Sequence, residues 1–276
     1  MSSRSYAPSF ALLTLVMLTG CSGGYLTRPI GIELDGGDDD ASDALTIDFD
    51  AAAPDGPVVP VDPPPDASKP SSLLKLSEIA PNVSGGGDVI ELRASGAGSI
   101  GGYTVEQDIT NAVVLATLPA ITVAQGDIVV VHLIAPSGTT NETSSKSGCS
   151  SAACYPTAWD VVGGSTGITF SGRVIVVRRP DKAIADGAPF YRNGLASGAG
   201  FAGELSALQK AGHWLPATCN GGVCSSNELA EPLAVDWLGV GTSTTSTTIA
   251  RKGTLDTDRA SDWTLGPSSL GVTNPL

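Results

Sequence analysis

The sequence has few of the side chains that most enzymes use for catalysis. Its 276 residues include two histidines and five cysteines. His132 lies within the apolar segment 128–134, and we expect it to have a structural role. His213 follows a predicted helix and is the better candidate for a general base, but no His-x₃-His metal spacing accompanies it. The sequence therefore predicts that the protein is not an enzyme, and the alternative is a hydrolase that uses His213 with carboxylates nearby.

Positive charge is also scarce. Lys and Arg number 15 against 28 Asp and Glu, which gives a net charge of −13 at pH 7. Proteins that bind nucleic acid need basic surfaces to neutralise phosphates, so this balance argues against a nucleic-acid partner. It favours solubility and repulsion from anionic surfaces.

The apolar run near the N-terminus is too short to cross a membrane. Residues 10–18 form nine apolar or small positions, whereas a spanning helix needs about 20. Arg4 precedes the run and small residues follow it, which is the arrangement of a secretory signal peptide. We therefore expect residues 1–20 to direct export and to be removed. The remaining chain then has 14 basic and 28 acidic residues and a net charge of −14, because Arg4 is lost with the signal.

Leu18, Thr19, Gly20 and Cys21 resemble the lipobox of bacterial lipoproteins. In that family the cysteine thiol receives a diacylglyceryl group, the peptide is cut before the cysteine, and the new amine is acylated. The resemblance implies lipidation of Cys21 with three acyl chains, which anchor a protein firmly where a single chain binds only marginally. In Gram-negative lipoproteins an Asp after the cysteine favours the inner membrane. Here the residue after the cysteine is Ser22 and not Asp. The resemblance therefore implies a cell-envelope protein that is anchored to the outer membrane.

Residues 21–71 are expected to be a disordered linker. Between 22 and 71 the chain has eleven acidic and two basic residues, and seven prolines fall between 54 and 70. Such a segment cannot bury enough apolar surface to offset its ordering entropy, and proline and like charges extend it. Calcium binding by the acidic run 35–43 is an alternative, although its spacing is not that of an EF-hand.

From residue 72 onward, short apolar runs alternate with Gly, Ser, Asn and Pro, which predicts many short strands. A single helix is predicted over 204–212. This pattern favours an all-β sandwich or barrel over residues 72–276. The predicted strands are 73–79, 88–94, 102–106, 112–117, 127–134, 172–178 and 233–240.

Several of these segments resemble the lamin-tail domain, an immunoglobulin-like β-sandwich found in nuclear lamins and in bacterial surface proteins. The family's ordered motifs are matched by residues 76–79, 88–93, 101–105, 121–131, 173–186, 248–251, 256–263 and 270–274. The resemblance implies the immunoglobulin-like sandwich and a non-enzymatic module. Residues 136–165 and 187–232 depart from it and are expected to be loop insertions.

Each expected insertion carries a Cys-x₄-Cys pair. The residues are Cys149, Cys154, Cys219 and Cys224. Export would place them where disulfides persist, and the small residues between the members of each pair favour two local bridges. Pairing across the insertions and a zinc thiolate site are the alternatives.

The end of the chain is rich in turn-forming carboxylates. Asp256, Asp258 and Asp262 are expected to accept hydrogen bonds from turn amides, and Arg251 to pair with one of them. A calcium site among the three carboxylates is the alternative. Trp263 is expected to close one end of the sandwich with a large buried area.

These features predict a binding or structural module of the cell envelope with no cofactor. Its stiffened loops would contact an unknown protein or polymer at the cell surface, because loops on a rigid scaffold often carry recognition. Calcium-dependent adhesion is a further alternative.

Overall fold

The computed structural model describes residues 72–84 and 87–276 of the chain. This part contains thirteen strands and two α-helices, so the predicted all-β class is confirmed. The helices are α1 (Phe201–Lys210) and α2 (Asn227–Ala230). The strands are β1 (Leu74–Ala80), β2 (Val89–Ala94), β3 (Gly98–Ser99), β4 (Thr104–Gln107), β5 (Val113–Thr117), β6 (Thr122–Val123), β7 (Ile128–His132), β8 (Trp159–Val162), β9 (Arg173–Arg178), β10 (Ile184–Tyr191), β11 (Val235–Asp236), β12 (Thr247–Arg251) and β13 (Trp263–Pro267).

The strands form a two-sheet sandwich. One sheet has the order β13-β12-β1-β2-β7-β8, the other has the order β11-β10-β9-β4-β5, and β3 pairs with β6 in a small ribbon. Most neighbouring strands are antiparallel, but β7 and β8 are parallel, as are β10 and β11.

The core between the two sheets follows from alternation along each strand. Ile90 and Leu92 are two positions apart in β2, and both are fully buried in the shared core, where Val129 and Val131 of β7 join them. Successive side chains of a strand point to opposite faces. Burial of each such side chain contributes about 1.5–3 kcal/mol.

Helix α1 covers the outer face of the five-stranded sheet. The four residues 174–177 of β9 are all fully buried, and Leu205 and Leu208 of α1 belong to the same apolar cluster. A Cβ atom on Gly187 would lie 2.8 Å from Leu208 and 2.9 Å from Val176. Glycine at this position therefore lets the helix approach the sheet closely.

An aromatic group closes one end of the sandwich. Trp263 is buried and meets Phe190 edge to face with ring centroids 5.2 Å apart, while Trp237 stacks on Phe190 at 5.0 Å. Large aromatic areas dominate core energetics. Trp263 thus has the large buried area that the sequence predicts.

Some element boundaries differ from the sequence predictions. The predicted strand 233–240 is reduced to the two residues of β11, because a short 3₁₀ helix, Glu231–Leu233, precedes it and a turn follows. The expected insertion 136–165 contains β8, which extends the six-stranded sheet, and 187–232 begins inside β10. The segments outside regular sheet structure are therefore shorter than expected. Over residues 72–84 and 87–276, no helix has both the length and the apolar character needed to cross a membrane.

Candidate functional site

A polar site lies beside a β-bulge in β1. The pairing of β1 with β2 shifts between Leu76 and Glu78, and β12 pairs with β1 only at Glu78 and Ile79. On the side of β12, the backbone of Leu76 therefore bonds side chains instead of a strand. Its N–H donates to Oδ2 of Asp186 at 2.7 Å, and its carbonyl accepts from Nε of Arg251 at 2.9 Å.

Arg251 is the centre of this polar site. Its Nη2 lies 2.9 Å from Oδ2 of Asp186, and its Nη1 donates to Oδ1 of Asp256. The guanidinium also lies over the ring of Trp263, 4.9 Å from the centroid. Lys75 completes the network, with Nζ 2.7 Å from Oδ2 of Asp256. We call Lys75, Asp186, Arg251 and Asp256 the Arg251 cluster.

Burial and charge have opposite effects on the acids of the Arg251 cluster. Removal from water raises the pKa of Asp186 above its ordinary value, although Arg251 favours its charged form. Asp256 is less deeply buried, and Arg251 and Lys75 outweigh its own desolvation, so its pKa is lowered. Desolvation of Lys75 is outweighed by Asp186 and Asp256, and its pKa is raised. Lys75 and Arg251 therefore both stay cationic near neutral pH.

A pocket of about 270 Å³ opens beside this cluster. Lys75, Arg93 and Arg251 contribute three cationic side chains to its wall, Asp256 contributes one carboxylate, and the turn at Gly126 forms another side. We call this space the cationic pocket. The cationic pocket lies where β1 begins and β2 ends. Ser95 on its wall donates a hydrogen bond to the carbonyl of Ser72, the first described residue.

Arg93 is the unusual member of this wall. It lies directly opposite Lys75 in the β1–β2 pairing, and like charges directly opposite each other destabilise a sheet. Lys75 has Asp256 as its partner. Nη1 of Arg93 is buried and has no hydrogen-bond partner among the residues that the structure describes. Sequence reasoning missed this site, since only the strand register brings the two cations together.

The three C-terminal aspartates have separate roles. Asp262 accepts hydrogen bonds from Thr257 N at 2.6 Å and from Thr257 Oγ1 at 2.6 Å, so it fixes a turn as expected. Asp256 is the partner of Arg251, which confirms the predicted ion pair. The carboxylates of Asp258, Asp256 and Asp186 approach within 4.8 Å of one another. The calcium site considered as an alternative, among Asp256, Asp258 and Asp262, is a different set of carboxylates from this one, because Asp262 binds Thr257 in its turn.

The four later cysteines form two local disulfides. Cys149 is joined to Cys154 and Cys219 to Cys224. These are the local pairings favoured above, rather than bridges across the insertions or a zinc site. Cys219 and Cys224 belong to the main core cluster, whereas Cys149 and Cys154 are partly exposed. Cys21 lies outside the described residues.

A buried polar pair lies on the outer face of the six-stranded sheet. Nε2 of His132 in β7 is 2.6 Å from Oδ1 of Asp160 in β8, and both side chains are almost fully buried. Oδ2 of Asp160 accepts from the N–H of Tyr155, and Oε2 of Glu142 accepts from the N–H of Asp160. These bonds tie the loop before β8 to the sheet, which is the structural role expected for His132.

His213 lies directly after α1, half-buried and next to the fully buried Trp214. Its N–H donates to the carbonyl of Leu208 at 3.1 Å, so the residue continues the end of the helix. It is not one of the residues that line the cationic pocket.

Residues 163–167 read Gly-Gly-Ser-Thr-Gly and match the sequence pattern of a nucleophile elbow. That elbow requires a strand before the serine and a helix after it. Here β8 precedes the segment, but no helix follows it before β9.

Two glutamates lie under the C-terminal segment. Glu78 and Glu91 are directly opposite each other across β1 and β2, and both are fully buried. Glu78 accepts from the N–H and the hydroxyl of Ser269, and Glu91 from the N–H of Gly271 at 2.7 Å. Burial raises the pKa of Glu91 to about 8, and the nearby Glu78 adds to the rise. These carboxyls hold the last residues of the chain onto the sheet.

Comparison with known proteins places the described domain in a family. No curated protein matches the chain. The family model named for the TP_1001 protein second domain matches residues 72–265, which is most of the chain and nearly all of the sandwich. The chain therefore belongs to the TP_1001 protein second-domain family.

Proposed function

We propose that the chain is an exported bacterial lipoprotein, anchored to the outer membrane through Cys21, whose lamin-tail-like sandwich binds a partner without catalysing a reaction. The observation that carries the export step is the pair of local disulfides, Cys149–Cys154 and Cys219–Cys224. Structural disulfides persist in oxidising compartments and are rare in the cytosol. The short signal-like run and the lipobox-like residues before Cys21 point in the same direction.

The burial of the residues that match the lamin-tail motifs supports this part of the proposal. The residues that carry the resemblance fall on strands of both sheets: Leu76 and Ile79 on β1, Ile90 on β2, Val105 on β4 and Ile249 on β12. All five are buried in the core between the sheets. A match that recurs at core positions in chain order is the pattern expected when two sequences share a sandwich.

The binding role is supported by the cationic pocket. It is built on the ends of paired strands, which hold a site more rigidly than loops do. Nη1 of Arg93 has no hydrogen-bond partner among the described residues, so the pocket has a donor left for a ligand. Convergent polar groups in a concave site are the usual mark of ligand binding.

Membrane fractionation tests the anchoring step. A Cys21→Ser variant is expected to leave the membrane fraction, because it has no thiol to acylate. A variant with both Cys149→Ser and Cys154→Ser loses two other cysteines and is expected to stay with the membrane. If the Cys21→Ser protein fractionates with membranes as strongly as the parent does, the anchoring step is wrong.

A further inference from the structure

One cation of the cationic pocket has a donor without a hydrogen-bond partner among the described residues. Lys75, Arg93 and Arg251 are cations, and the two carboxylates of the Arg251 cluster, Asp186 and Asp256, bond to Lys75 and Arg251. Arg93 differs from both, because its Nη1 is buried without a hydrogen-bond partner among the described residues. Among the cations of this wall, Arg93 is therefore the one with a buried donor still available to a ligand.

Glu91 is a weak electrostatic partner of Arg93, because the charge of Arg93 has the smallest effect among the causes of the pKa shift of Glu91. Glu91 is two positions before Arg93 in β2, so the two side chains share one face. Burial and the carboxylate of Glu78 keep the pKa of Glu91 at about 8, which leaves Glu91 mostly uncharged at pH 7. Glu91 also points its Oε2 at the N–H of Gly271, under the C-terminal segment.

Without a bound anion, the cations on this wall destabilise the folded domain. Lys75 and Arg93 repel each other from paired positions, and a buried donor without an acceptor costs free energy. An anionic group in the pocket would remove both penalties. A guanidinium binds a planar carboxylate through two parallel hydrogen bonds, so a carboxylate suits the unpartnered Nη1 of Arg93.

We propose that the cationic pocket binds a carboxylate group of an acidic ligand, with Arg93 as its main donor and Lys75 as the second cation. Gly126 and the strand end at Ser95 close the sides of the pocket. Arg251 is a positioning residue, because its own donors are already used by Asp186, Asp256 and Leu76.

Titration of the isotopically labelled full chain with acetate tests the proposal by NMR. At constant ionic strength, the amide signals of Ser95 and Gly126 are expected to shift and to saturate with acetate but not with chloride. Arg93→Gln is expected to weaken the apparent affinity about tenfold or more, which corresponds to the loss of charge-assisted hydrogen bonds. Arg93→Lys keeps the charge and is expected to bind with intermediate affinity.

Two controls separate this site from general charge effects. Arg179→Gln removes one positive charge at an exposed turn, where Arg179 pairs with Asp181, and is expected to bind acetate as the parent does. In the absence of acetate, Arg93→Gln is expected to raise the urea midpoint, because the repulsion of Lys75 is gone. Added acetate should then raise the midpoint of the parent but not that of Arg93→Gln.

Three results would overturn the proposal. They are the absence of acetate-dependent shifts at the pocket in the parent, equal acetate affinities for the parent and Arg93→Gln, and a response to inorganic phosphate without a response to acetate. The last of these would show an oxyanion site that does not select carboxylates.

Discussion

Arg251 and Asp186 form a buried ion pair that joins the two sheets of the sandwich, with Nη2 and Oδ2 2.9 Å apart. Arg251 belongs to β12 of one sheet and Asp186 to β10 of the other. Both also bond the backbone of Leu76, which lies outside the two positions of β1 that pair with β12. The pair therefore satisfies backbone groups that would otherwise be buried without hydrogen bonds.

Replacement of Arg251 is expected to destabilise the domain strongly. Arg251→Met leaves the charge of Asp186 buried without its counter-ion and frees the carbonyl of Leu76, so the free energy of unfolding should fall by about 3–5 kcal/mol. Burial of an unpaired carboxylate raises its pKa, so Asp186 in Arg251→Met is protonated more readily and needs no counter-ion at low pH. The decrease in the free energy of unfolding caused by Arg251→Met should therefore be smaller at pH 5 than at pH 8.

Urea denaturation of Arg251→Met and of Lys252→Met checks this prediction. Lys252 is the next residue, and its Nζ makes one exposed hydrogen bond to the carbonyl of Ser261. Its replacement should change the free energy of unfolding by less than about 1 kcal/mol. Similar losses in both variants would show that the ion pair is not what joins the sheets.

Glu91 makes the stability of the domain depend on pH. Its pKa is about 8 in the folded protein against an ordinary value of 4.5. The folded state therefore holds this proton more tightly than the unfolded state, and the contribution is complete below pH 4.5 and is lost as pH rises toward 8. Glu91→Gln is uncharged at every pH and keeps the shape of the side chain. At pH 8 and above it should be more stable than the parent by about 1–3 kcal/mol.

The measurement is the free energy of unfolding of the parent and of Glu91→Gln at several pH values between 4.5 and 9. The difference between the two proteins should grow with pH across this range. A constant difference would mean that Glu91 does not titrate within it.

The two disulfides are expected to contribute unequally to stability. Both close loops with the same sequence separation of five residues, so the chain-entropy contribution is equal, about 2 kcal/mol in each case. Cys219 and Cys224 are buried in the main core, whereas Cys149 and Cys154 are partly exposed. Replacement of the buried pair by alanine also removes core packing and should lower the melting temperature more. Equal shifts for the two double variants would contradict this account.

Calcium is expected to leave thermal unfolding unchanged. The carboxylates of Asp186, Asp256 and Asp258 approach one another, but Arg251 binds two of them and Lys75 binds Asp256. A calcium ion would have to displace both cations to gain its six to eight oxygen ligands. A clear rise of the melting temperature in millimolar calcium would show that the cluster binds the metal despite its internal ion pairs.

The strands could be predicted where local patterns determine them, and the polar sites could not. Ile90 and Leu92 show the alternation that buries one face of β2, and the four β-branched or aliphatic residues of β9 identify a buried strand. β8 was missed because Trp159 to Val162 is short and follows a long segment rich in Ser and Gly. Its place in the sheet depends on parallel pairing with β7, which is a long-range contact.

The candidate site depends on register and on a bulge, neither of which is visible in composition. Lys75 and Arg93 are 18 positions apart, and only the pairing of β1 with β2 makes them neighbours. Asp186 of one sheet accepts a hydrogen bond from the N–H of Leu76 in the other sheet, a contact between residues 110 positions apart. Arg251 was expected to pair with a nearby aspartate and does so with Asp256, since that contact is local in the sequence.

Mass spectrometry of the N-terminus of the protein isolated from its own membranes tests the proposed location most directly. The account predicts a chain that begins at Cys21 and carries acyl groups on both the thiol and the amine. A chain that begins at Met1, or one with an unmodified Cys21 thiol, would contradict the account.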